Sequence, residues 1–216
     1  MTARFDRSLI PDIPNLHFEQ TLWQSSIQSI AGIDEAGRGA WAGPVAAGVV
    51  ILPADDNIRD ALHGVRDSKQ LSAAHRQRLE LVIQKTAIAC AVGLASNCEI
   101  DTLGILPATR LAMTRAVELL ALTPDHLLID ALFLPEIPIP QTSLVKGDQR
   151  SLSIAAASIL AKTARDRWME SLAQSEPRYA FEHNKGYGTR SHQLAPREYG
   201  PCREHRFSYS PIRSCK

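Results

Sequence analysis

Acidic residues follow several apolar segments of this 216-residue chain, and their spacing suggests metal chemistry. Asp34 and Glu35 stand side by side in the stretch GIDEAGRGA, directly after an apolar run. Asp130 ends the run LLID, and Asp148 follows shortly after the run TSLV. An adjacent acidic pair is most often a solvated turn, so the hypothesis of a site depends on whether the four acids meet.

A cluster of four carboxylates would need a cation. Like charges repel one another, and carboxylates are costly to remove from water unless they are neutralised. Oxygen ligands favour hard ions such as Mg²⁺ or Mn²⁺ over zinc. Two such ions about 4 Å apart can clamp the attacking and leaving oxygens of a phosphoryl displacement. The four acids therefore predict a metal site suited to phosphodiester hydrolysis.

Two glycines, Gly37 and Gly39, follow the acidic pair. Successive side chains of a strand point to opposite faces, so Asp34 and Glu35 are expected to share a site only if the strand ends or distorts there. Glycine tolerates backbone angles that are closed to other residues, and it leaves the backbone bare. We therefore expect the glycines to permit the distortion and to admit a substrate.

The apolar pattern predicts the sheet that would carry these acids. Strands are predicted at 29–34, 45–52, 87–95, 126–132 and 143–146. Helices are predicted at 73–86 with Ser72 as the N-cap, at 111–122 and at 151–174. The pattern indicates an α/β protein with a mixed sheet flanked by helices. We divide the chain into a lead-in (1–28), a catalytic domain (29–175) and a C-terminal helical or irregular extension (176–216).

Composition narrows the class of protein. The net charge is only +1, but residues 145–216 carry 13 Lys and Arg against 7 Asp and Glu, which suits an anionic substrate. The cysteines show no CxxC spacing, which argues against zinc and favours reduced thiols in the cytoplasm: Cys90, Cys98, Cys202 and Cys215. No apolar segment has the form of a signal peptide or the length of a membrane span, so we expect a cytoplasmic protein.

Six motifs follow one another in a distinctive order. They are GIDEAGRGAWAGPV, DSKQLS (67–72), LLIDAL (127–132), KGD (146–148), IAAASILAKTARD (154–166) and HNKGYGT (183–189). This series resembles the type 2 ribonucleases H, specifically the bacterial ribonuclease HII family, from about residue 29 to about residue 211. The resemblance implies a ribonuclease H-like fold with a mixed five-stranded sheet and a small C-terminal helical extension.

The resemblance also implies an activity. It implies a monomeric endonuclease that cleaves the RNA strand of RNA–DNA hybrids and incises duplex DNA on the 5′ side of single embedded ribonucleotides. The reaction would use two Mg²⁺ or Mn²⁺ ions and leave a 3′-hydroxyl and a 5′-phosphate. A cellular role in ribonucleotide excision repair would follow from that activity.

Site residues are carried over by matching motifs. The family's four catalytic, metal-binding acids match Asp34, Glu35, Asp130 and Asp148. The loop that senses the ribose 2′-hydroxyl matches Gly37, Arg38 and Gly39, a phosphate-contacting lysine matches Lys69, and the tyrosine that packs on the sugar beyond the cleaved junction matches Tyr187. Further candidates for phosphate contact are Lys146, Lys162, Arg165, His183 and Arg190. Which acid bridges the two ions is left open.

Three alternatives compete with this interpretation. A transposase-like nuclease of the same fold is disfavoured by the DEAGRG loop and by the tyrosine after KG. A non-catalytic hybrid-binding module of the same fold would lack one or more acids, and none is missing here. The sister enzyme ribonuclease HIII carries an extended N-terminal domain, whereas only about 28 residues precede the first strand. Two departures from the family pattern are the insertion of Asn184, which leaves the role of His183 open, and Pro196, which is expected to shorten or kink a helix between 189 and 199 because proline costs about 3 kcal/mol in a helix interior.

Overall fold

Five strands form one mixed sheet in the computed structural model, which describes residues 5–215. Their bounds are β1 (Ile30–Ala36), β2 (Val45–Ile51), β3 (Ala89–Ala95), β4 (His126–Asp130) and β5 (Gln141–Leu144). The strand order is β3-β2-β1-β4-β5, with antiparallel pairing on the β3 side of β1 and parallel pairing on the β5 side. The predicted mixed five-stranded sheet is confirmed, with slightly different strand ends.

Helices cover both faces of the sheet. They are α1 (His17–Gln24), α2 (Ile58–Ala61), α3 (Ala73–Thr86), α4 (Asn97–Leu103), α5 (Ile105–Glu118), α6 (Leu152–Ser175), α7 (Phe181–Asn184), α8 (Arg190–Tyr199) and α9 (Ser210–Arg213). As predicted, Ser72 caps α3, because its hydroxyl accepts the N–H of His75. The helix predicted at 111–122 begins earlier, at Ile105. Within residues 5–215, no helix is both long enough and apolar enough to cross a membrane.

Pro196 does not shorten its helix. It lies inside α8, which runs on to Tyr199 and is capped by the Thr189 hydroxyl at its start. The expectation of a shortened helix is therefore wrong, whereas the alternative expectation of a kink at Pro196 stays a prediction. Pro196 is buried together with Ala195 and His192, so the apolar face of α8 packs against its surroundings and tertiary contacts offset the propensity cost.

The two faces of the sheet are packed differently. On one face, α5 buries Ala112, Met113 and Ala116 against inward-facing side chains of the strands. On the other face, α6 lies so close that a Cβ atom added to Gly48 of β2 would come within 2.2 Å of the Ala157 carbonyl oxygen. The run of small residues IAAAS therefore lets the α6 backbone rest directly on the sheet, which brings side chains of α6 within reach of the strand ends.

The lead-in is anchored to the start of α6. Glu19 of α1 is 1% exposed, and its Oε1 accepts the hydroxyls of Ser151 and Ser153 and the Ser153 N–H. A carboxylate at this position satisfies backbone donors at a helix N-terminus and interacts favourably with the helix dipole. Residues 1–4 of the predicted lead-in lie outside the described residues. The division of the chain at 28/29 and 175/176 stays a prediction.

Candidate active site

The acids lie where the sheet opens between β1 and β4. Because β1, β4 and β5 are parallel, their carboxyl ends meet at one edge. Pairing between β1 and β4 ends at Ile33 and Ile129, whereas β1 stays paired with β2 as far as Ala36. The expectation that β1 ends or distorts at Asp34 is therefore wrong.

Both acids of the pair still act at this opening. Gly32 faces α6, so Asp34 faces α6 as well and Glu35 points to the opposite side of the sheet. Beyond the last β1–β4 pair no strand separates the two sides, and the Glu35 charge acts on both Asp34 and Asp130. The two carboxylates are therefore brought together because β4 stops pairing with β1 before Asp34, and not because the backbone of β1 is distorted there.

Burial and mutual repulsion dominate the electrostatics of three of the acids, Asp34, Asp130 and Asp148. Burial raises the pKa of the Asp34 carboxyl well above 3.8, and the charges of Glu35, Asp130 and Asp148 raise it further. Burial likewise raises the pKa of Asp130, which the Glu35 charge raises further, and it raises the pKa of Asp148 to about 6 with a contribution from Asp130. Each shift reports a carboxylate that would be stabilised by a nearby positive charge.

Three of the acids each accept a hydrogen bond on one carboxylate oxygen. Asp130 Oδ1 accepts the Gly147 N–H at 2.6 Å, and Asp34 Oδ1 accepts the Glu35 N–H at 2.7 Å. Arg38 donates to Glu35 Oε1 at 2.9 Å. The α6 residue Ser158 contributes a hydrogen bond that lowers the pKa of Asp34, and its hydroxyl lies 2.8 Å from that of Ser68.

The donor set fits a hard divalent ion. Glu35 Oε2 is buried and finds no hydrogen-bond partner among residues 5–215, so one carboxylate oxygen in the cluster is left unsatisfied. All four candidate ligands are carboxylates, which Mg²⁺ and Mn²⁺ accept. In the arrangement described for residues 5–215, no three His, Cys, Asp or Glu side chains converge closely enough to ligate an ion.

A cavity of about 290 Å³ adjoins Glu35. Its lining includes five of the predicted substrate-binding residues, Gly37, Arg38, Gly39, Lys69 and Tyr187, together with Ala36, Ser68 and Lys162. Lys69 Nζ lies 3.8 Å from Asp148 Oδ2, and the Lys69 side chain is 77% exposed. Burial alone would lower the pKa of Lys69, but the charges of Asp148 and Asp34 raise it overall. Lys146 is not part of the lining; its charge lowers the pKa of Asp148.

The two loop glycines have different roles in the fold. Gly37 has a φ of +97°, and a Cβ atom there would come 2.1 Å from Arg165 Nε. A side chain at Gly39 would meet no protein atom within 4 Å. The fold itself thus requires glycine at position 37, whereas the packing at position 39 leaves room for a Cβ atom.

Arg165 does not contact phosphate. It is fully buried, and it donates to the carbonyl oxygens of Pro44 (Nε, 2.8 Å), Lys185 (Nη1, 2.9 Å) and Ala42 (Nη2, 3.0 Å). The prediction of phosphate contact at Arg165 is therefore wrong. His183 and Arg190 are absent from the cavity lining, so their phosphate contacts stay predictions.

A buried chain of polar side chains, which the sequence analysis missed, supports the Tyr187 loop. His192 Nδ1 lies 2.9 Å from the Tyr187 carbonyl, His192 Nε2 lies 3.1 Å from His205 Nε2, and His205 Nδ1 accepts the Cys202 N–H. Because a carbonyl only accepts, His192 carries its proton on Nδ1 and His205 donates from Nε2. Burial lowers the pKa of His205 to about 4, so both rings are neutral. No spacing in the sequence signals this pairing.

The fold and the site together define a nuclease of the ribonuclease H-like class. The family model described as Ribonuclease HII matches residues 31–211. The chain belongs to the ribonuclease HII family, which confirms the resemblance seen in the motifs. It is an endoribonuclease of the ribonuclease H type, the class that hydrolyses RNA paired with DNA.

Individual relatives agree with this assignment. The Ribonuclease HII of Chloroflexus aurantiacus is 51% identical over 93% of this chain and 95% of its own length, and that of Geobacillus sp. WCH70 is 52% identical over 91% and 69%. The ribonuclease H2 from Pyrococcus horikoshii OT3 superposes with a TM-score of 0.70 at 26% identity, covering 87% of this chain and 96% of that one. The fold is also shared by Bst-RNase HIII in complex with Mn²⁺, with a TM-score of 0.63 at 20% identity over 87% of this chain and 69% of that one.

Proposed function

We propose that this enzyme cleaves the RNA strand of RNA–DNA hybrids and also incises duplex DNA on the 5′ side of a single embedded ribonucleotide. The observation that carries this proposal is the cavity that joins Glu35 to residues 37–39 and to Tyr187. It offers a carboxylate, a bare backbone and an aromatic ring to one short stretch of nucleic acid. The products would be a 3′-hydroxyl and a 5′-phosphate.

The acids would hold two divalent ions, Mg²⁺ or Mn²⁺. The proposed ligands are Asp34, Glu35, Asp130 and Asp148. The unsatisfied Glu35 Oε2 and the raised pKa of Asp34 support these ligands. The Mn²⁺ complex of Bst-RNase HIII supports the use of a divalent metal. Such ions supply Lewis-acid activation of water and neutralise the charge that develops on the phosphate.

Cations of the chain would orient the phosphate beside these acids. Lys69 is exposed and lies next to Asp148, so its ammonium group is accessible to a phosphate oxygen from solvent. Lys146 acts on the same acid from the β5 side and would contact a neighbouring phosphate. Arg38 holds Glu35 through its guanidinium and lines the cavity, so the same residue links the carboxylate to the sugar-binding wall.

Recognition of RNA would depend on one sugar. RNA differs from DNA at the 2′-hydroxyl. Residues 37–39 line the cavity, and a backbone contact with that hydroxyl would need a position without a side chain in the way. Gly39 meets that condition because a side chain there would project into open space. Tyr187 lines the same cavity and would pack on the next, deoxy sugar. A single ribonucleotide followed by DNA would then supply both recognised groups, the 2′-hydroxyl and the next deoxy sugar.

The test compares one embedded ribonucleotide with an all-RNA strand in duplexes of equal length, with Mg²⁺, with Mn²⁺ and with excess chelator. Cleavage of both substrates that is lost with chelator supports the proposal. Cleavage of the all-RNA strand alone would contradict reading of the junction and leave the nuclease itself intact. Tyr187→Ala should slow the single-ribonucleotide reaction by up to about tenfold, the size of one aromatic contact. Tyr199→Ala is the matched control, because Tyr199 is 47% exposed and lies outside the cavity lining.

We also propose that the enzyme is a cytoplasmic monomer that acts in ribonucleotide excision repair. All four cysteines have free thiols, which suits a reducing compartment. Size-exclusion chromatography with light scattering would test the oligomeric state.

A further inference from the structure

Two fully buried arginines lie where the C-terminal extension meets the loop that follows β1. Arg165 belongs to α6 and Arg206 to the segment before α9, and both have 0% of their surface exposed. A buried guanidinium is costly unless its donors are satisfied. Each of the two donates to three backbone carbonyl oxygens. The backbone therefore compensates both buried charges, and each arginine in turn fixes the loop segments that supply its carbonyl partners.

Arg165 links the two walls of the substrate cavity. Its Nε lies against Gly37, where a Cβ atom would come within 2.1 Å, and its Cζ lies 5.2 Å from the centre of the Tyr187 ring. It also donates to the Lys185 carbonyl, two residues before Tyr187, and to the Ala42 carbonyl in the loop after Gly37. One guanidinium thus contacts both the glycine loop and the tyrosine loop.

We infer that Arg165 is a positioning residue that sets the separation between the 37–39 loop and the Tyr187 ring, and that it thereby determines the preference for a ribonucleotide–deoxyribonucleotide junction over continuous RNA. This inference rests on the proposed function. Arg165 itself touches no substrate, because it is completely buried beneath both walls.

The chemistry of the side chain suits this role. A guanidinium is a rigid planar fork with five N–H donors, whereas lysine carries one ammonium group on a flexible stem. The fork can hold three carbonyls from two separate segments, the loop after Gly37 and the loop before Tyr187, at fixed angles. Burial lowers the pKa of Arg165 to about 10, so the group stays charged at neutral pH and attracts the face of the Tyr187 ring. Lysine would keep the charge and lose the geometry.

Arg206 provides the matched control. It is equally buried, and it donates to the carbonyls of Gly43 (3.0 Å), Arg38 (3.0 Å) and Pro44 (3.1 Å). Its Cζ faces the Tyr209 ring at 5.3 Å. Its three carbonyl partners all lie in the loop after β1, and among the described residues it donates to no carbonyl of the Tyr187 loop. Arg206→Lys should therefore loosen the glycine loop for every substrate alike.

The experiment measures kcat/KM for the single embedded ribonucleotide and for the all-RNA strand with the full chain in Mg²⁺. The ratio of the two values does not depend on how much of a preparation is folded. Arg165→Lys should lower this ratio by up to about tenfold, as Tyr187→Ala does, and the double variant should lower it no further because the two residues act as one unit. Arg206→Lys should lower both rates in proportion and leave the ratio unchanged. In Arg165→Lys alone, hydrogen exchange of the 185–189 amides should be faster.

An unchanged ratio in Arg165→Lys, alongside a lowered ratio in Tyr187→Ala, would overturn the inference and leave the proposed function standing. An unchanged ratio in Tyr187→Ala would instead overturn the junction reading on which the inference rests. If Arg165→Lys yields no folded protein, Arg165→Gln repeats the test, since it keeps a planar donor but cannot reach all three carbonyls. A ratio unchanged in that variant would count against the inference in the same way.

Discussion

Two groups of buried titratable side chains in this enzyme differ in how they are satisfied. The first is the carboxylate cluster at the end of β1 and β4, where Asp34 is repelled by its neighbours and Glu35 Oε2 has no partner among residues 5–215. The second is the chain of His192, His205 and Cys202 below the Tyr187 loop, where both nitrogens of each ring have a hydrogen-bonding neighbour.

Burial favours the neutral form of the side chain in both groups, because it raises the pKa of Asp34 and lowers the pKa of His205. The shift alone therefore does not separate a reactive site from a structural one. The hydrogen bonds do. The neutral histidines complete a closed set of donors and acceptors, whereas the carboxylates retain a need for positive charge that the protein meets only partly through Arg38 and Lys69.

The largest effect is expected from breaking the carboxylate cluster. Asp34→Asn removes one negative charge at nearly constant volume, so cleavage should fall on the order of 10³-fold or more, as expected for several kcal/mol of lost stabilisation of the transition state. Single-turnover cleavage of an RNA–DNA hybrid measures it. Asp60→Asn, at an exposed position of α2, should retain full activity. Undiminished turnover by Asp34→Asn would show that the cluster is not the reacting centre.

A second prediction concerns the loop that lies between the two groups. Gly37→Ala should destabilise the protein by about 3 kcal/mol, because it combines a strained φ with overlap on Arg165. Gly39→Ala should change stability by less than about 0.5 kcal/mol, since its Cβ meets open space, and it should weaken substrate binding. Urea unfolding and a binding assay on the hybrid separate the two effects. Equal loss of stability in both variants would contradict the assignment.

The histidine chain predicts a dependence of stability on pH. The folded-state pKa of His205 is about 4, below its ordinary value of 6.5, so the unfolded chain takes up the proton first on acidification. The neutral His205 ring therefore makes its full contribution to the free energy of unfolding above pH 6.5. This contribution is lost as the pH falls towards 4, and about 2 kcal/mol of it is lost at pH 5. His205→Gln should be less stable at pH 7 but should lose about 2 kcal/mol less than the wild type between pH 7 and 5. Parallel stability curves in urea titrations would refute the neutral pair.

The smallest effect sharpens the contrast from the other side. In excess chelator at pH 7, Asp34→Asn should be more stable than the wild type by about 1 kcal/mol, because it relieves repulsion among buried carboxylates. Thermal unfolding with and without Mg²⁺ would measure this difference, which Mg²⁺ should reduce or reverse. If Asp34→Asn were instead the less stable protein in chelator, the cluster would carry no repulsion to relieve.

Much of the candidate site could be predicted from the sequence because its signals are local. Each acid follows an apolar strand segment, and Ser72 caps α3 by accepting the N–H of His75 three residues later. The mixed sheet also followed from the pattern, since buried strands and amphipathic helices have different periods. The motif order pointed to the family, and with it to five residues that line one cavity.

The remaining features depend on partners far away in the chain. Asp34 and Glu35 act together because β4, nearly a hundred residues later, stops pairing with β1 at Ile33, and no local pattern records where that pairing ends. The sequence suggests phosphate contact at Arg165 because an arginine on a helix is usually exposed to solvent and so accessible to an anionic substrate. Its carbonyl partners belong to two other segments, so only the packed chain assigns its donors.

The sequence by itself determined which residues have the chemistry for metal-assisted cleavage, because charge, oxygen donors and bare backbone are properties of single residues and short motifs. Only the tertiary structure decided which of them lie together and which are satisfied elsewhere. Burial and hydrogen-bond closure arise when distant segments meet. The same chain therefore leaves Glu35 Oε2 without a partner in the described part of the chain and closes the set of donors around His192 and His205.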